Sequence, residues 1–300
     1  MKKILIIVLL IGLSNSAWST HVKIGDLYYW LYEDEGVAYV DSELNFRTKY
    51  NDLVVANIPS RVTYDGITYP VTGIKYHAFW GSRTLISVTI PSSVETIVEA
   101  AFSGCESLVE VNLPNTITSL ENSTFSGCRS LTNIVIPNSV TDIKNNVFYD
   151  CSSLTGMVIP NSVQYLGPNS FFNCYSMEYV QLGSGVTSIG EDAFAGCSSL
   201  TEMVIPGNVK RIGQGAFRQC TSLKKVTVKN GVISIGRDAF QGCKNMTVIA
   251  LPATVMTIES DVFKGCENLK AILVPYGKKA HFLARLDSNL HPLVREIQPK

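Results

Sequence analysis

The sequence has little charge and few of the residues on which enzyme chemistry depends. Charged residues make up 17% of the 300 positions and the formal net charge is zero, so no overall field favours nucleic acid or an acidic membrane as a partner. No G-x-S-x-G, H-E-x-x-H, C-x-x-C or phosphate-binding glycine motif occurs. We therefore expect no catalytic site, no metal and no cofactor. The four histidines are scattered along the chain: His21, His77, His281 and His291.

Long apolar runs are also scarce, and the one near the amino terminus indicates export. Two lysines precede an apolar run, residues 4–13, which is too short to span a bilayer. Small residues after this run predict cleavage after Ser19, with Ser16 as the second choice, and therefore a signal peptide over residues 1–19. No later stretch is long enough for a transmembrane helix. We expect an exported protein, located outside the cell, on the cell surface or in the periplasm.

Cysteine is absent before Cys105 and is periodic from there on. All eight cysteines, from Cys105 to Cys266, follow one another at intervals of 23 residues. A phenylalanine stands three residues before each cysteine, and one further copy of the unit has Ser82 in place of cysteine. A fixed period of roughly 20–50 residues is the signature of a solenoid. The periodic phenylalanines are Phe79, Phe102, Phe125, Phe148, Phe171, Phe194, Phe217, Phe240 and Phe263.

One unit, "LVEVNLPNTITSLENSTFSGC" from Leu108, shows how a coil is built. Val111 and Leu113 alternate with polar residues, a pattern typical of a short strand with one buried face. Pro114 then ends the ladder, because proline has no N–H group. A second extended piece and a tight helical or 3₁₀ turn follow, and the turn drives Phe125 inward. Stacked coils cover these apolar residues in a parallel sheet, so the predicted fold is a β-rich α/β solenoid of 23-residue coils.

The repeat pattern resembles a known family. "L-x-x-V-x-I-P-x-S-V-x-x-I-G-x-x-A-F-x-G-C", repeated nine times over about residues 69–275, resembles the BspA-like branch of bacterial leucine-rich-repeat proteins. The segments "VVANIPSRVTYDGITYPVTGI" and "VPYGKKAHFLARL" are similar to flanking segments of that family. The resemblance implies a right-handed leucine-rich-repeat superhelix. It also implies a secreted or surface-displayed, non-catalytic recognition protein, often linked to adhesion to host or matrix proteins.

The two ends of the stack need caps, because the first and last coils otherwise expose the core. We assign residues 20–68 to an amino-terminal β cap, residues 69–275 to the solenoid and residues 276–300 to a carboxy-terminal cap. "DLYYWLYEDEGVAYVDS" predicts two strands and "TYDGITY" a hairpin. Tyr28 and Trp30 are candidates for covering the first coil.

The eight cysteines allow two interpretations. Exported proteins often contain disulfides, and neighbouring coils bring the cysteines to about 5 Å, within bridging range. However, equivalent side chains point in parallel directions, whereas the Cβ atoms of a disulfide converge to about 3.8 Å. Cysteine also packs well as a small buried residue. Free stacked thiols are therefore the favoured interpretation, with disulfides as the alternative.

Candidate binding residues lie at variable repeat positions. Tyr149 and Phe172 directly follow the core phenylalanine in adjacent coils, so we expect them to be neighbours. Tyr175 and Tyr179 belong to the next segment, and we expect Tyr179 to point from the solvent side of the sheet beside Gln181. Exposed aromatic groups often mark binding sites. The alternative is drift of the repeat, with partly packed rings and no ligand.

A basic segment supplies the last candidate, Lys225. Residues 210–244 contain eight basic residues and one acid, Asp238; this stretch either attracts an anionic glycan or an acidic protein, or is simply a solvated face.

The favoured function is recognition of a host, matrix or other protein through the repeat surface. A carbohydrate-binding accessory protein and a purely structural envelope component are the alternatives. The variable positions on the sheet's solvent side include Glu110, Asn112, Tyr179, Gln181, Glu202, Lys225 and Thr227.

Overall fold

Each repeat forms one turn of a β-solenoid with two strand-bearing sides and one side made of turns. The computed structural model describes residues 19–42 and 50–298, and it contains about ten turns built on the 23-residue repeat. The β-rich solenoid predicted from the periodicity is therefore confirmed. The predicted signal peptide, residues 1–19, lies outside the described residues except for Ser19, and it stays a prediction.

The first strand of each turn contributes to what we name the first sheet, which is parallel throughout. Its strands alternate inward apolar residues with outward variable ones, as β16 shows with its exposed–buried–exposed–buried pattern. This is the alternation that the sequence predicts. The strands are β4 (Val55–Asn57), β7 (Ser87–Thr89), β9 (Glu110–Val111), β12 (Gly156–Val158), β14 (Tyr179–Gln181), β16 (Glu202–Ile205), β18 (Lys225–Val228), β20 (Val248–Ala250), β22 (Ala271–Pro275) and β23 (Val294–Ile297).

The second strand of each turn contributes to the second sheet, which is also parallel. Seven of its strands form one continuous sheet in the order β10-β11-β13-β15-β17-β19-β21. Each has only two residues, one outward and one inward. The strands are β8 (Thr96–Ile97), β10 (Ser119–Leu120), β11 (Asp142–Ile143), β13 (Tyr165–Leu166), β15 (Ser188–Ile189), β17 (Arg211–Ile212), β19 (Ser234–Ile235) and β21 (Thr257–Ile258).

The third side, here called the turn side, is a series of hydrogen-bonded turns. In the segment after β15, the N–H groups of Ala193, Ala195 and Cys197 each donate to the carbonyl three residues earlier. The N–H groups between them, those of Asp192 and Phe194 among others, donate instead to carbonyls of the next coil. The predicted short helical turn is thus a row of single turns, because every second N–H is used to join neighbouring coils.

The phenylalanines of the turn side form one buried column. Successive rings from Phe79 to Phe263 are stacked with centroids 5.1–6.0 Å apart and planes within 17° of each other. Burying such a side chain in place of leaving it exposed contributes about 1.5–3 kcal/mol. The repeated phenylalanine therefore supplies a large share of the apolar core of every turn.

The cysteines pack beside this column as free thiols. Each Sγ donates to the carbonyl oxygen of the phenylalanine 26 residues earlier; for example, Cys174 Sγ lies 3.3 Å from the oxygen of Phe148. Parallel side chains that point at carbonyls do not converge on one another, as the geometry of the repeat predicts. The favoured interpretation of the eight cysteines is confirmed.

A mixed sheet, antiparallel except for the parallel pair β3 and β6, opens the described part of the chain, and it covers the core with different residues from those expected. Its strand order is β1-β2-β3-β6-β5. Tyr29 and Leu31 point into the core, whereas Tyr28 and Trp30 lie half-buried on the opposite face. The expectation that Tyr28 and Trp30 cover the first coil is therefore wrong. The strands are β1 (Ser19–Ile24), β2 (Leu27–Tyr32), β3 (Val37–Asp41), β5 (Arg61–Tyr64) and β6 (Ile67–Ile74).

The carboxy-terminal segment covers the last turn. The helix α1 (Lys279–Leu283) buries Phe282 against the core, and a 3₁₀ helix follows at Ser288–Leu293. The strand β23 then pairs in parallel with β22 and extends the first sheet. The sequence predicts a short helix over residues 278–286 and a final extended "LVREI"; both elements are present, and the helix is confined to residues 279–283. In the described residues, no helix is long and apolar enough to cross a membrane.

Candidate functional site

The first sheet is interrupted near its middle, and this interruption distinguishes it from the turn side. Its strands fall into three groups: β4, β7 and β9; β12 and β14; and β16, β18, β20, β22 and β23. The strand expected between β9 and β12 does not form, and residues 132–136 make no ladder along this side. The carbonyl oxygen of Thr132 still accepts a hydrogen bond from the N–H of Thr155, at 3.2 Å. Among the described residues, no backbone N–H of residues 132–136 donates a hydrogen bond to a neighbouring coil.

The side chain of Asn112 accounts for the interruption on the β9 side. Its amide nitrogen donates to the carbonyl oxygen of Ile90 at 2.9 Å, and its amide oxygen accepts from the N–H of Ile90 at 2.8 Å. This pair of bonds takes the place of the backbone hydrogen bond that the equivalent N–H of Ile159 donates to Gln181. The coil that follows gains no equivalent connection, so the sheet opens on that side.

A cleft of about 540 Å³ lies at this opening. Its floor includes Val111, Leu113 and Ile134, and its rim is largely polar. Glu110 is the one charged side chain among the lining residues, and its carboxylate makes no hydrogen bond or ion pair within the described part of the chain. The complete lining is Val109, Glu110, Val111, Asn112, Leu113, Asn115, Thr132, Asn133, Ile134, Val135 and Pro137.

Exposed valines accompany the cleft. Val135, in the unpaired segment, is 75% exposed, and Val158 and Val204 occupy the same repeat position one and three coils later with 53% and 52% exposure. Val109 is exposed at the edge of the cleft. Sequence reasoning missed these valines because it searched the variable positions for aromatic and charged groups. The signal was a valine at an outward position, as in "NIVIP".

Tyr179 lies on the same side of the molecule, as predicted. It begins β14 and is in register with Gly156 of β12. The ring of Tyr179 covers Gly156, where a Cβ atom would collide with the ring. Tyr179 is nevertheless 56% exposed, and Gln181 at the other end of the strand is exposed as well. The tyrosine is thus held against the sheet and still presents apolar surface to solvent.

The other aromatic candidates lie away from the first sheet. Tyr149 and Phe172 stack on the turn side with ring centroids 5.0 Å apart and planes 4° apart, which confirms that they are neighbours. Tyr175 is exposed, but no ring contact joins it to either of them within the described residues. The candidates therefore form two groups, the Tyr149–Phe172 pair and the residues around Tyr179.

The basic residues of the segment 210–244 do not form one patch. Lys225 lies on the first sheet in register with Glu202, and Arg211 lies on the second sheet. Arg218 lies on the turn side, where its Nη2 is 3.2 Å from the carboxylate of Asp192. The local charge is distributed over all three sides, since consecutive residues of one coil face different directions. Lys225 remains a candidate for its place on the first sheet alone.

The thiols differ in reactivity along the column. Burial raises the pKa of Cys105 and of Cys197 to about 12, which keeps these groups protonated at neutral pH. Cys266, in the last complete repeat, is only half-buried. A hydrogen bond with the Cys243 thiol lowers the pKa of Cys266, so it is the most accessible nucleophile of the eight. No group of three metal-ligating side chains occurs in the residues that the structure describes.

Comparison with known proteins finds similar leucine-rich-repeat structures. A leucine-rich repeat protein from Bacteroides ovatus is 22% identical, with 93% of this chain and 99% of that chain covered and a TM-score of 0.54. A leucine rich cell surface protein from Faecalibacterium prausnitzii is 22% identical over 88% of this chain and 97% of its own, with a TM-score of 0.42. The leucine-rich repeat protein of T. pallidum is 29% identical over 80% and 86%, with a TM-score of 0.39.

No curated protein matches the sequence significantly. The family described as BspA type leucine rich repeat region matches residues 72–201 and 187–280. These matches span the solenoid from β6 to α1, and the Bacteroides ovatus structure shares its fold along nearly the whole chain. The chain belongs to the BspA type leucine-rich-repeat family.

Proposed function

We propose that the protein is an exported recognition protein that binds a protein partner, of host or matrix origin, on the solvent side of the first sheet and without catalysis. The observation that carries this proposal is the concentration of exposed apolar side chains on that side. Val135, Val158 and Tyr179 all point outward from strands or strand positions of successive coils. Contiguous exposed apolar surface on an otherwise polar protein marks interaction sites.

Tyr179 is the expected energetic centre of this surface. Tyrosine combines a large apolar area with few rotamers and a polar tip, and it is enriched where interfaces derive most of their binding energy. Packing on Gly156 restrains the ring before the partner arrives. Less side-chain entropy is then lost on binding.

The test measures binding of the mature protein to an immobilised panel of host matrix proteins by surface plasmon resonance. For any partner that binds, Tyr179→Ala should raise Kd about thirtyfold, which corresponds to about 2 kcal/mol. The matched control is Tyr165→Ala, because Tyr165 is an exposed tyrosine on the second sheet. A Tyr179→Ala variant that binds like the parent, together with loss of binding on changes in the amino-terminal sheet, would place the interface elsewhere.

Lys225→Ala should have a different effect from Tyr179→Ala. Charges at the rim of an interface act mainly on the association rate and on its salt dependence. We expect the association rate for the same partner to fall and to depend less on ionic strength, with the dissociation rate nearly unchanged. A change confined to the dissociation rate would contradict the steering role.

Carbohydrate binding is a second candidate, and the Tyr149–Phe172 stack is the observation in its favour. Two parallel aromatic rings at the surface of a turn side offer apolar area to a sugar ring. A glycan array with the parent and with Phe172→Ala tests this candidate. Glycan binding that Phe172→Ala abolishes and Tyr179→Ala leaves intact would favour the carbohydrate function over the protein partner.

Export is part of the proposal and has its own test. Amino-terminal sequencing of the protein recovered from the producing cell should start at Thr20, or at Ala17 if cleavage follows Ser16. Protease treatment of intact cells then separates a surface location, in which the protein is degraded, from a periplasmic one, in which it is protected. An amino terminus at Met1 would contradict export by this segment.

A further inference from the structure

We propose that the cleft beside residues 132–136 binds an extended peptide segment of the partner, one that carries an aliphatic side chain and a neighbouring basic side chain. This inference rests on the proposed function, in which the partner is a protein. It adds the binding mode: the peptide accepts hydrogen bonds from the unpaired N–H groups of residues 132–136, inserts an aliphatic side chain over the floor of the cleft and places a basic group beside Glu110.

The backbone of residues 132–136 is the first reason to expect a peptide. In six other coils the N–H equivalent to that of Thr132 donates to the carbonyl 23 residues earlier; Thr155, Glu178 and Lys224 are examples. The N–H of Thr132 donates no such bond, although its carbonyl oxygen accepts from the N–H of Thr155, and no N–H of residues 133–136 donates within the described chain. Backbone groups of a strand that lack partners are a template for another strand.

The unpaired segment is long enough to bind a short peptide. Five residues in extended conformation span roughly 17 Å at about 3.3 Å per residue. The segment keeps the alternation of its repeat, since Ile134 and Ile136 point inward and Val135 points outward. A partner strand that pairs with it therefore meets an apolar side chain at every second position, which selects an alternating sequence.

The floor of the cleft is accessible to a side chain from outside. Val111 and Ile134 are 6% and 5% exposed, whereas Ile249, at the same repeat position in the continuous part of the sheet, is fully buried. Leu113 is only partly buried. The apolar floor under a polar rim fits an aliphatic side chain of the partner, because covering it removes apolar surface from water.

The negative charge at the rim of the cleft favours a basic side chain in the peptide. Glu110 is the only charged lining residue and has no cationic neighbour within ion-pair distance among the described residues. A lysine or arginine next to the buried aliphatic residue of the peptide would meet this carboxylate. The remaining rim residues, Asn115, Thr132 and Asn133, are neutral donors and acceptors that suit a peptide backbone.

The test selects peptides from a displayed library of random decapeptides on the full mature protein. Peptides that bind should be enriched in alternating aliphatic residues with at least one lysine or arginine. The Kd of one selected synthetic peptide is then measured for pairs of variants at equivalent repeat positions. Val135→Asp should raise Kd about tenfold or more, and Val204→Asp less than about twofold. Glu110→Lys should weaken binding about fivefold or more, whereas Glu202→Lys should not.

Hydrogen exchange provides a readout of the backbone pairing itself. Amides of residues 132–136 should exchange rapidly in the free protein, since they lack partners, and slowly with the selected peptide bound. Val135→Asp and Val204→Asp both alter exposed residues, so circular dichroism of each should match the parent. This comparison separates loss of the site from loss of folding.

Three results would overturn the inference: no peptide is selected, the selected peptide binds Val135→Asp and Val204→Asp equally, or protection appears outside residues 109–137. A glycan that binds in a manner sensitive to Val135→Asp would also overturn it, since the cleft would then take a different class of ligand. If the matrix-protein partner still depends on Tyr179, the proposed function survives and only the peptide mode fails. If no protein partner binds the first sheet at all, the proposed function fails first.

Discussion

The turn side and the first sheet are built from the same repeat, yet only the turn side is continuous. Three backbone hydrogen bonds join every pair of neighbouring turns from residue 77 to residue 264 on the turn side. The first sheet loses its pairing on both sides of residues 132–136 and again between β14 and β16. The turn side therefore sets the spacing of the coils, and the strand pairing of the first sheet can vary from one coil to the next.

The chemistry of the two regions explains this division. On the turn side, buried phenylalanine rings stack and each cysteine thiol bonds to a carbonyl of an earlier coil. These contacts recur at each step, so a defect in one coil would disturb its neighbours. On the first sheet, half of the side chains face solvent, and a polar side chain such as Asn112 can replace part of the backbone pairing. Variation is tolerated where it is not buried.

Phe171→Ala should have the largest effect on stability. Truncating a buried phenylalanine costs about 3–5 kcal/mol, and Phe171 stacks between Phe148 and Phe194. Val135→Ala on the first sheet should change stability by less than about 0.5 kcal/mol. Urea unfolding followed by circular dichroism gives both values, and Phe171→Ala could also split the transition into two steps. Equal stability of the two variants would remove the distinction between the regions.

Two glycine substitutions test the same comparison with smaller expected losses of stability. A Cβ atom at Gly213, where the chain enters the turn side, would lie 2.6 Å from the backbone of Gly190 in the previous coil. Because that backbone is held by the stack, Gly213→Ala should cost about 1–3 kcal/mol. At Gly156 the three atoms nearest to an added Cβ all belong to the ring of Tyr179.

That ring can swing into solvent, so Gly156→Ala should cost less than about 1 kcal/mol and still weaken partner binding through Tyr179. Chemical denaturation of both variants provides the measurement. A larger loss for Gly156→Ala than for Gly213→Ala would show that the first sheet, and not the turn side, resists displacement.

The thiols report how tightly the turn side is closed. In the native protein Cys266 should react with a thiol reagent about tenfold faster than the other cysteines, because it is half-buried and its pKa is lowered by the Cys243 thiol. After denaturation without reductant, all eight thiols should react.

Cys266→Ser should remove the fast phase, whereas Cys197→Ser should leave it unchanged. Absence of free thiols after denaturation would contradict the stacked-thiol column. A single rate for all eight native thiols would show that the turn side opens as one unit.

Asp192→Asn should have the smallest effect, and its sign depends on pH. Burial raises the pKa of Asp192 in spite of the neighbouring Arg218, whose Nη2 donates a hydrogen bond to Oδ2 but is not aligned with Oδ1. A raised folded-state pKa stabilises the fold below the unfolded value, and this contribution is lost as the pH rises through the folded value.

At pH 7 the charged Asp192 is therefore a cost, and Asp192→Asn should stabilise the protein by less than about 1 kcal/mol. Asparagine already occupies the same repeat position, with the same left-handed backbone, at Asn146 and Asn169. The gain should vanish below the ordinary aspartate pKa of 3.8. Asp261→Asn, at a more exposed position, is the control. Equal destabilisation at both pH values would show that pairing with Arg218 outweighs burial.

Periodicity in the sequence predicts most of the fold, because a repeat that cannot bury its own apolar residues must stack. The phenylalanine column, the free thiols and the adjacency of Tyr149 and Phe172 all follow from equivalent positions one period apart. The orientation of β2 did not follow, since Tyr29 and Trp30 are both aromatic and alternation alone does not tell which face is buried.

The cleft was beyond prediction for a related reason. "LTNIVIP" obeys the repeat pattern, and nothing in its letters signals an unpaired strand. The cause lies in the preceding coil, where the Asn112 amide bonds to Ile90. The Asn112 side chain takes the place of a backbone hydrogen-bonding partner, and this is visible only when the positions of both coils are known. The outward positions of the valines can be predicted from the sequence, but a search for aromatic and charged groups does not select them.

The interruptions make the solenoid mechanically uneven. Over three successive interfaces between residues 85 and 173, one sheet or the other lacks ladder pairing within the described chain: the second sheet between β8 and β10, then the first sheet on each side of residues 132–136, where the N–H of Thr155 still donates to the carbonyl oxygen of Thr132. The first sheet is unpaired at a further interface, between β14 and β16. Because three weak interfaces are adjacent between residues 85 and 173, extension under a pull along the axis concentrates in this third of the molecule. A peptide bound at residues 132–136 would add hydrogen bonds there and stiffen the stack. A protein tethered at one end would then extend less under force after it has bound its partner.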